Sequence, residues 1–446
     1  MKSYQSGEPL RIVIASAVAG LAVGALGSRF RAALELAQRW REQLTGQARA
    51  TPITGFLATI AAVAAAAMLA RWLVVRFAPI AAGSGVQHVE AVMRGEAEAA
   101  GMAVVPVKFF GGLLAIGAGL PLGREGPTVQ MGAAIGNLIA APLFGNSAER
   151  RAVVAAGAGA GLAVAFNAPI GGSIFVFEEL TRSFLERQML AALAAAAGAI
   201  AIMRVALGNT QLFDAGAPFD QPLSQLPYHF VIGAALGLLV AAYAVLTTAF
   251  LNATERFRWA PSLVRAGAIG IVVGACGWFS SSFVGGGETL VQSILSSTPS
   301  TSVLLLILGV RFVLGPLAYA AGAPGGVFAP LLAMGVASGA LSASVVGSLW
   351  PDIAPSPLVG GVVGMSAMFA AVVRAPLTGI VMAVEMTGRI DCALAMLRHA
   401  WRRRCSRASS AAGRFMTCCG SACWRLSWRP PARVISRDLR ISRRVV

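Results

Sequence analysis

The chain has 446 residues, of which 57% are hydrophobic and only 12% are charged. Soluble globular proteins usually contain about 25% charged residues, so this composition excludes an ordinary soluble enzyme. The formal net charge of +17 could suggest nucleic-acid binding, but residues 398–446 alone hold 13 Arg and a single acidic residue. The remainder of the chain is nearly balanced, and we therefore expect no nucleic-acid partner.

Apolar runs that are long enough to enter or cross a bilayer recur from residue 11 onward. A spanning helix needs about 20 apolar residues. These runs are too long and too continuous for the strands of a transmembrane barrel, and a helix satisfies its own backbone in lipid. The sequence therefore predicts an all-α polytopic membrane protein, preceded by a short N-terminal segment, residues 1–10. Clear examples of the runs are 11–27, 53–70, 190–206, 231–251, 301–320 and 358–373.

Three Gly-rich motifs occur twice, in the same order and at nearly one offset. GSG at 83–85 returns as GGG at 285–287, and GREGPTVQMGAAIG at 123–136 returns in GGVFAPLLAMGVASG at 325–339. The third motif, NAPIGGSIFVFEE, starts at residue 167 and returns as RAPLTGIVMAVEM from residue 374. Three matches of this kind predict two homologous halves, residues 11–208 and 209–391, as in transporters built from repeats and broken helices.

The Gly and Pro clusters predict helix starts at membrane depth. Pro suits the first turn of a helix and not its interior. A helix N-terminus carries unpaired N–H groups and the positive end of the helix dipole, so several converging N-termini attract an anion. The alternative is that the glycines only permit close helix packing.

The same motifs resemble the three selectivity-filter segments of the chloride channel/transporter (CLC) family. The segments are GSG at 83–85, GREGP at 123–127 and GGVFAP at 325–330. PVKFFGG at 106–112, FNAP at 166–169 and VRAPLTGI at 373–380 support the resemblance. It implies tilted, unequal helices in two repeats of inverted topology and an anion pathway within each subunit of a homodimer. It also implies a multi-pass protein of the bacterial inner membrane, surrounded by lipid.

The resemblance implies a set of site residues by position. The Ser84 hydroxyl and the backbone N–H groups of Val327 and Phe328 are the expected donors to the anion. The segment departs from the usual GSGIP, because Gln87 stands where Pro is common. The implied anion-binding residues are Gly83, Ser84, Gly85, Arg124, Gly126, Val327 and Phe328, and the remaining filter residues are Gly123, Pro127, Gly325, Gly326 and Pro330.

Two carboxylates carry the expected proton chemistry. A carboxylate inside the membrane is costly and indicates function, and Glu125 of GREGP matches the family's external gate and proton carrier. The alternative for Glu125 is a structural pair with Arg124. Glu179 matches the position from which family exchangers pass protons to the cytoplasm, where family channels usually carry an apolar residue. The alternative for Glu179 is a solvated helix end beside Arg182.

Other acidic and imidazole side chains have weaker assignments. Glu178 and Glu385 occupy matching positions in the two repeats and are expected to be structural. Glu90 is an accessory candidate, and His88 is expected to lie in a solvated loop.

The predicted function is transport of chloride coupled to proton counter-transport, with no cofactor and no metal. A passive voltage- or proton-gated chloride channel of the same fold is the alternative, and a membrane protein without transport is another. A fluoride exporter is less favoured because Ser84 fits chloride. We reject an intramembrane hydrolase, because none of the three His lies in an apolar run with a catalytic partner.

The tail, residues 392–446, breaks the family pattern. The family usually ends with a helix that delivers a Tyr hydroxyl to the anion, but this chain has no Tyr after Tyr319. Arg, Cys and Trp rise together in the tail, which predicts a frameshifted or disordered segment and leaves a transport-defective protein as an alternative. A polybasic tail that binds anionic lipid and an RNA-binding tail are the other interpretations.

Overall fold

The computed structural model describes residues 8–145, 147–209, 211–216, 222–257, 259–393 and 396. The predictions for the tail concern residues that lie almost entirely outside these ranges. The described residues form 15 α-helices and no strand longer than an isolated bridge. The helices are α1 (Glu8–Ala48), α2 (Pro52–Phe77), α3 (Val86–Met93), α4 (Val104–Gly117), α5 (Glu125–Phe144), α6 (Ala148–Phe166), α7 (Pro169–Phe175), α8 (Glu186–Leu207), α9 (Leu226–Arg256), α10 (Ser262–Phe279), α11 (Glu288–Ser296), α12 (Thr301–Tyr319), α13 (Phe328–Leu349), α14 (Pro357–Val373) and α15 (Pro376–Thr387).

Seven of the described helices are long and apolar enough to cross a membrane, namely α1, α2, α8, α9, α10, α12 and α13. Three further apolar helices, α4, α14 and α15, are shorter than a full span. α1 has 41 residues and is about 60 Å long, which exceeds the ~30 Å hydrocarbon core. Unequal lengths of this kind confirm the prediction of an all-α polytopic membrane protein with broken helices.

The internal repeat is visible in the backbone. Residues with left-handed φ angles occur at matching points of the two halves, before α3 and α11, after α4 and α12, and after α6 and α14. Four pairs of residues have positive φ angles in this way, and in three of the pairs glycine avoids the Cβ clash of this conformation. The pairs are Gly83 (64°) with Gly285 (70°), Gly85 (85°) with Gly287 (97°), Gly119 (108°) with Gly322 (66°), and Asn167 (52°) with Arg374 (64°).

Glycines allow one tight helix crossing in each half. A Cβ on Gly132 of α5 would strike the carbonyl of Gly157 in α6, and a Cβ on Gly335 of α13 would strike the carbonyl of Gly364 in α14. Close packing therefore explains these glycines. The glycines of the motifs that precede α3, α5 and α13 have different surroundings, described below.

Glu178 and Glu385 tie the two halves together reciprocally. Glu178 accepts hydrogen bonds from the N–H groups of Leu377 and Thr378 at the start of α15, at 3.2 and 2.7 Å. Glu385 of α15 accepts from two N–H groups at the start of α7, at 3.1 and 2.7 Å. Each carboxylate thus caps the first turn of its repeat-related helix, where N–H groups lack partners. These contacts support the structural role predicted for the pair.

Candidate functional site: three helix starts around a buried carboxylate

Backbone hydrogen bonds join the three Gly-rich segments at one point. Gly83 N donates to Ala323 O at 3.2 Å, and Gly325 N donates back to Gly83 O at 3.0 Å. Gly123 and Gly326 exchange two N–H···O bonds, each 2.7 Å. These residues lie 200 or more positions apart in the sequence. The bonds bring together the segments that lead into α3, α5 and α13, as converging helix starts require.

Glu125 is the first residue of α5 and is fully buried. Its Oε1 accepts hydrogen bonds from Phe328 N at 2.8 Å and from Ala329 N at 3.2 Å, in the first turn of α13. Within the described part of the chain, its Oε2 has no hydrogen-bond partner. The carboxylate therefore lies against the N-terminus of the helix that is the repeat counterpart of its own.

Glycine makes room for that carboxylate. A Cβ on either Gly123 or Gly326 would overlap the Glu125 carboxyl group. A side chain at either position would displace the carboxyl group from its present place.

Ser84 lies next to the start of α5 and is buried. A Cβ on Gly126 would come within 2.5 Å of Ser84 Oγ, so the glycine admits the hydroxyl. Gly85, in a left-handed conformation, follows Ser84 and immediately precedes α3. Pro127 and Pro330 lie in the first turns of α5 and α13, where a missing N–H is tolerated.

A buried cation binds the carbonyl groups of the segment before α3. Lys108 of α4 is fully buried, and its Nζ donates to Gly83 O at 2.7 Å and to Ser84 O at 3.0 Å. Arg311 of α12 is its repeat counterpart and donates to the carbonyls of Val284 and Gly285, at 2.8 and 3.3 Å, and to a third at 2.7 Å.

Neither cation was predicted from the sequence, although a signal was present. The residues VKF at 107–109 recur as VRF at 310–312, at the same spacing as the recognised repeats. A basic residue at matched positions of two apolar helices is costly and indicated a shared role.

Arg124 has its ion-pair partners elsewhere than at the adjacent Glu125. Its Nη1 lies 3.2 Å from Glu288 Oε2 and 4.0 Å from Glu35 Oε1, and its Nε donates to Ala165 O at 3.1 Å. The side chain is 3% exposed. Arg124 was predicted among the anion-binding residues, and its contacts are with carboxylate and carbonyl oxygens. Glu288 was not identified from the sequence.

The second proton candidate lies on a different element. Glu179 is in a π-helical turn, Val176–Leu180, that continues α7. It is 4% exposed, and its Oε1 lies 3.3 Å from Arg182 Nη2. Glu179 is therefore a buried residue, and the neighbouring Arg182 is its partner.

Two other side chains are also buried. Glu90 of α3 is 5% exposed and lies 3.6 Å from Arg94. The prediction of a solvated loop for His88 is wrong. His88 lies within α3, is 5% exposed, and its Nε2 is 3.1 Å from Glu98 O. α3 packs against α5 and α6, and this packing covers the His88 side chain.

A family model described as "Voltage gated chloride channel" matches residues 66–400. The chain belongs to the voltage-gated chloride channel family. The matched region includes all three helix starts and both repeat-related cations. The family expected from the filter motifs is thereby confirmed.

Sequence relatives from this family extend over most of the chain. The H(+)/Cl(-) exchange transporter ClcA of Vibrio cholerae is 34% identical over 401 residues, which are 87% of this chain and 84% of the relative. The protein of the same name from Yersinia pseudotuberculosis is 36% identical over 401 residues, with 87% and 83% covered.

Solved structures from the family share the fold. A slow cyanobacterial Cl-/H+ antiporter aligns with a TM-score of 0.85 and 29% identity, covering 94% of this chain and 98% of the other. A CLC-type fluoride/proton antiporter aligns with a TM-score of 0.74, at 20% identity, over 95% and 97%. At that identity the second likeness shows the fold alone.

Proposed function

We propose that this protein carries chloride across the bacterial inner membrane in exchange for protons. The observation that carries the proposal is the pair of hydrogen bonds that the buried Glu125 carboxylate accepts from the N–H groups of Phe328 and Ala329, at the start of α13. The names of the relatives from Vibrio cholerae and Yersinia pseudotuberculosis, and of the cyanobacterial structure, support the coupling to protons.

The position of the Glu125 carboxylate supports a gate. A carboxylate oxygen is an anion, and the N–H groups that bind it are the groups that would bind chloride at a helix N-terminus. Ionised Glu125 therefore competes with chloride for the start of α13. A proton on Glu125 removes its charge and weakens these charge-assisted hydrogen bonds, so that the side chain leaves and chloride enters. Protonation of Glu125 and binding of chloride at the start of α13 are then coupled.

The residues around Ser84 suit an anion site further along the pathway. The Ser84 hydroxyl is the proposed donor to that anion. Carbonyl oxygens repel anions, and the carbonyls of Gly83 and Ser84 are instead bound by the Lys108 ammonium group. The ammonium group thus offsets the repulsion between these carbonyl oxygens and the anion, and its positive charge lies close to the proposed anion site.

Glu179 is the proposed second proton-transfer residue. Glu179 is buried, which favours a role in proton transfer over the alternative of a solvated helix end. Its partner Arg182 is 60% exposed and lies on the solvent side of Glu179. A passive chloride channel of the same fold has no use for a carboxylate at this position. The presence of Glu179 favours the exchanger. We further propose that two copies of the chain form the homodimer, each with its own pathway and each surrounded by lipid.

The test is flux from the purified protein in liposomes, with chloride efflux and external pH recorded together. The wild type is expected to let a chloride gradient move protons uphill. Glu179→Gln should abolish proton movement and leave chloride efflux within about threefold, whereas Glu186→Gln, an exposed residue at the start of α8, should behave as the wild type. Chloride efflux without proton movement in the wild type would replace the exchanger with a channel, and no flux would support a transport-defective protein.

A further inference from the structure

We propose that Glu288, through its ion pair with Arg124, sets the pH at which the Glu125 gate binds its proton. The inference rests on the proposed function of Glu125. It assigns a positioning and pH-setting role to a residue in the second half of the chain.

Four charged side chains form a connected group beside the gate, and we call them the Arg124 quartet: Arg31, Glu35, Arg124 and Glu288. Arg124 Nη1 is 3.2 Å from Glu288 Oε2 and 4.0 Å from Glu35 Oε1. Glu35 Oε1 is in turn 2.9 Å from Arg31 Nε. The quartet has two positive and two negative charges, and it is neutral only when both Glu residues are ionised.

The quartet gives Arg124 one close counter-charge. Glu35 shares its charge with Arg31, to which it is more than 1 Å closer. Glu288 is thus the main compensation for a guanidinium that is 3% exposed and directly precedes Glu125 in the sequence. The side chain of Glu288 is 29% exposed, so it lies between water and the buried residues Arg124 and Glu125.

Two further cations, Arg41 of α1 and Arg311 of α12, lie against the Gly285–Gly287 turn that precedes Glu288. Arg31 and Glu35 belong to α1, Lys108 of α4 faces the Gly83 and Ser84 carbonyls, and Glu288 belongs to α11. Among the described residues, backbone N–H groups in the first turn of α13 reach Glu125, and from α6 the Ala165 carbonyl reaches Arg124. Removing the charge of Glu288 therefore leaves Arg124, next to the gate, with only the more distant and shared charge of Glu35.

The sign of the effect follows from Coulomb's law. An Arg124 that has lost its main counter-charge stabilises the ionised form of Glu125, and the loss of the Glu288 charge removes a repulsion that acts on the same carboxylate. Both changes oppose protonation. A charge change at several ångströms in a medium of effective dielectric constant near 20 corresponds to about one pH unit. The pH of half-maximal transport should therefore move down by about one unit in Glu288→Gln.

The experiment measures chloride efflux from liposomes against pH, at the same chloride concentration for every variant, because chloride competes with ionised Glu125 and its concentration would otherwise move the midpoint. Glu288→Gln should shift the midpoint down by about one unit. Glu35→Gln should shift it by roughly 0.3 unit, because Arg31 shares its charge. Glu42→Gln is the matched control, because Glu42 lies on α1 and pairs with Arg41 at 3.7 Å.

Glu288 also begins α11, so the charge-preserving variant Glu288→Asp guards against a merely structural effect. It should keep a midpoint near that of the wild type. Equal shifts in Glu288→Gln and Glu42→Gln, or a wild-type midpoint in Glu288→Gln, would overturn the inference.

A further variant, Glu125→Gln, separates this inference from the proposed function. If its chloride efflux retains the pH dependence of the wild type, Glu125 is not the gate and the proposed function fails. If Glu125→Gln loses the pH dependence and Glu288→Gln retains the wild-type midpoint, only the role of Glu288 fails.

Discussion

The two halves of the chain place a buried cation over the same Gly-rich turn, but they carry different chemistry beside it. Lys108 binds the carbonyls before α3 and Arg311 those before α11. Ser84 in the first half corresponds to Gly286 in the second, and Glu125 corresponds to Phe328. The first half thus contributes a hydroxyl and a carboxylate, and the second contributes bare backbone N–H groups.

This difference separates scaffold from function. Left-handed turns and helix crossings recur in both halves, so they serve the fold. The cationic contacts to carbonyls also recur, but only Lys108 binds the segment that contains Ser84, the proposed donor to the anion. The proposed transport residues Ser84 and Glu125 have no counterpart of the same type in the other half. An anion pathway needs donors from several directions but only one competing carboxylate, and the contact between Glu125 and the start of α13 joins the unique residue to its repeat counterpart.

The largest expected effect comes from removing each cation in turn, which tests whether the two halves differ in their role in chloride binding. Lys108→Met should reduce chloride affinity at least tenfold, because the Gly83 and Ser84 carbonyls then face the anion uncompensated. Arg311→Met should leave chloride affinity within about twofold. Both variants lose hydrogen bonds to buried carbonyls and should be destabilised by about 2–4 kcal/mol. Calorimetric titration with chloride and thermal unfolding in detergent measure the two effects.

Lys108→Arg serves as the control, since it retains the charge. The comparison breaks if Arg311→Met weakens chloride binding as much as Lys108→Met does, because the two cations would then share one role in transport.

A smaller effect is expected at the symmetric helix crossings. Gly132→Ala and Gly335→Ala each place a Cβ against a backbone carbonyl of the facing helix, and overpacking of this kind costs about 1–3 kcal/mol. The two variants should lower the thermal midpoint by similar amounts. Measurement by thermal unfolding in detergent is sufficient.

Gly46→Ala in α1 and Gly309→Ala in α12 are the matched controls, because among the described residues no heavy atom outside the local helix backbone lies within 4 Å of the added Cβ. They should be neutral or slightly stabilising, since Ala has the higher helix propensity. A large loss in only one of Gly132→Ala and Gly335→Ala would show that the two crossings are not equivalent.

The smallest expected effect concerns the reciprocal caps. Glu178 accepts three hydrogen bonds from the start of α15, one of them from the Thr378 hydroxyl, and Glu385 accepts two from the start of α7. Charge at a helix N-terminus contributes about 0.3–2 kcal/mol. Glu178→Gln and Glu385→Gln should each lower the thermal midpoint slightly, with the larger change for Glu178→Gln.

The double variant sharpens this prediction. The two caps have separate partners, so their effects should add. A double variant that unfolds at the midpoint of the weaker single variant would indicate that the caps act as one unit.

The sequence alone determined the class of the protein and the positions of the helix starts. Long apolar runs require helices in lipid, and Gly and Pro at repeated positions mark where those helices begin. For this reason the broken helices and the family were predictable from residues such as Gly83, Pro127 and Pro330. The length of an apolar run and the conformation of glycine are local properties, and local properties are readable in a sequence.

Only the tertiary structure decided which groups are partners. Arg124 pairs with Glu288, which is 164 positions away, and not with the adjacent Glu125. Ala329 joins Phe328 as a donor to the Glu125 carboxylate, and His88 is buried because other helices cover α3. A buried charge takes the partner that packing brings within hydrogen-bond distance, and that choice depends on segments that the chain order does not place side by side.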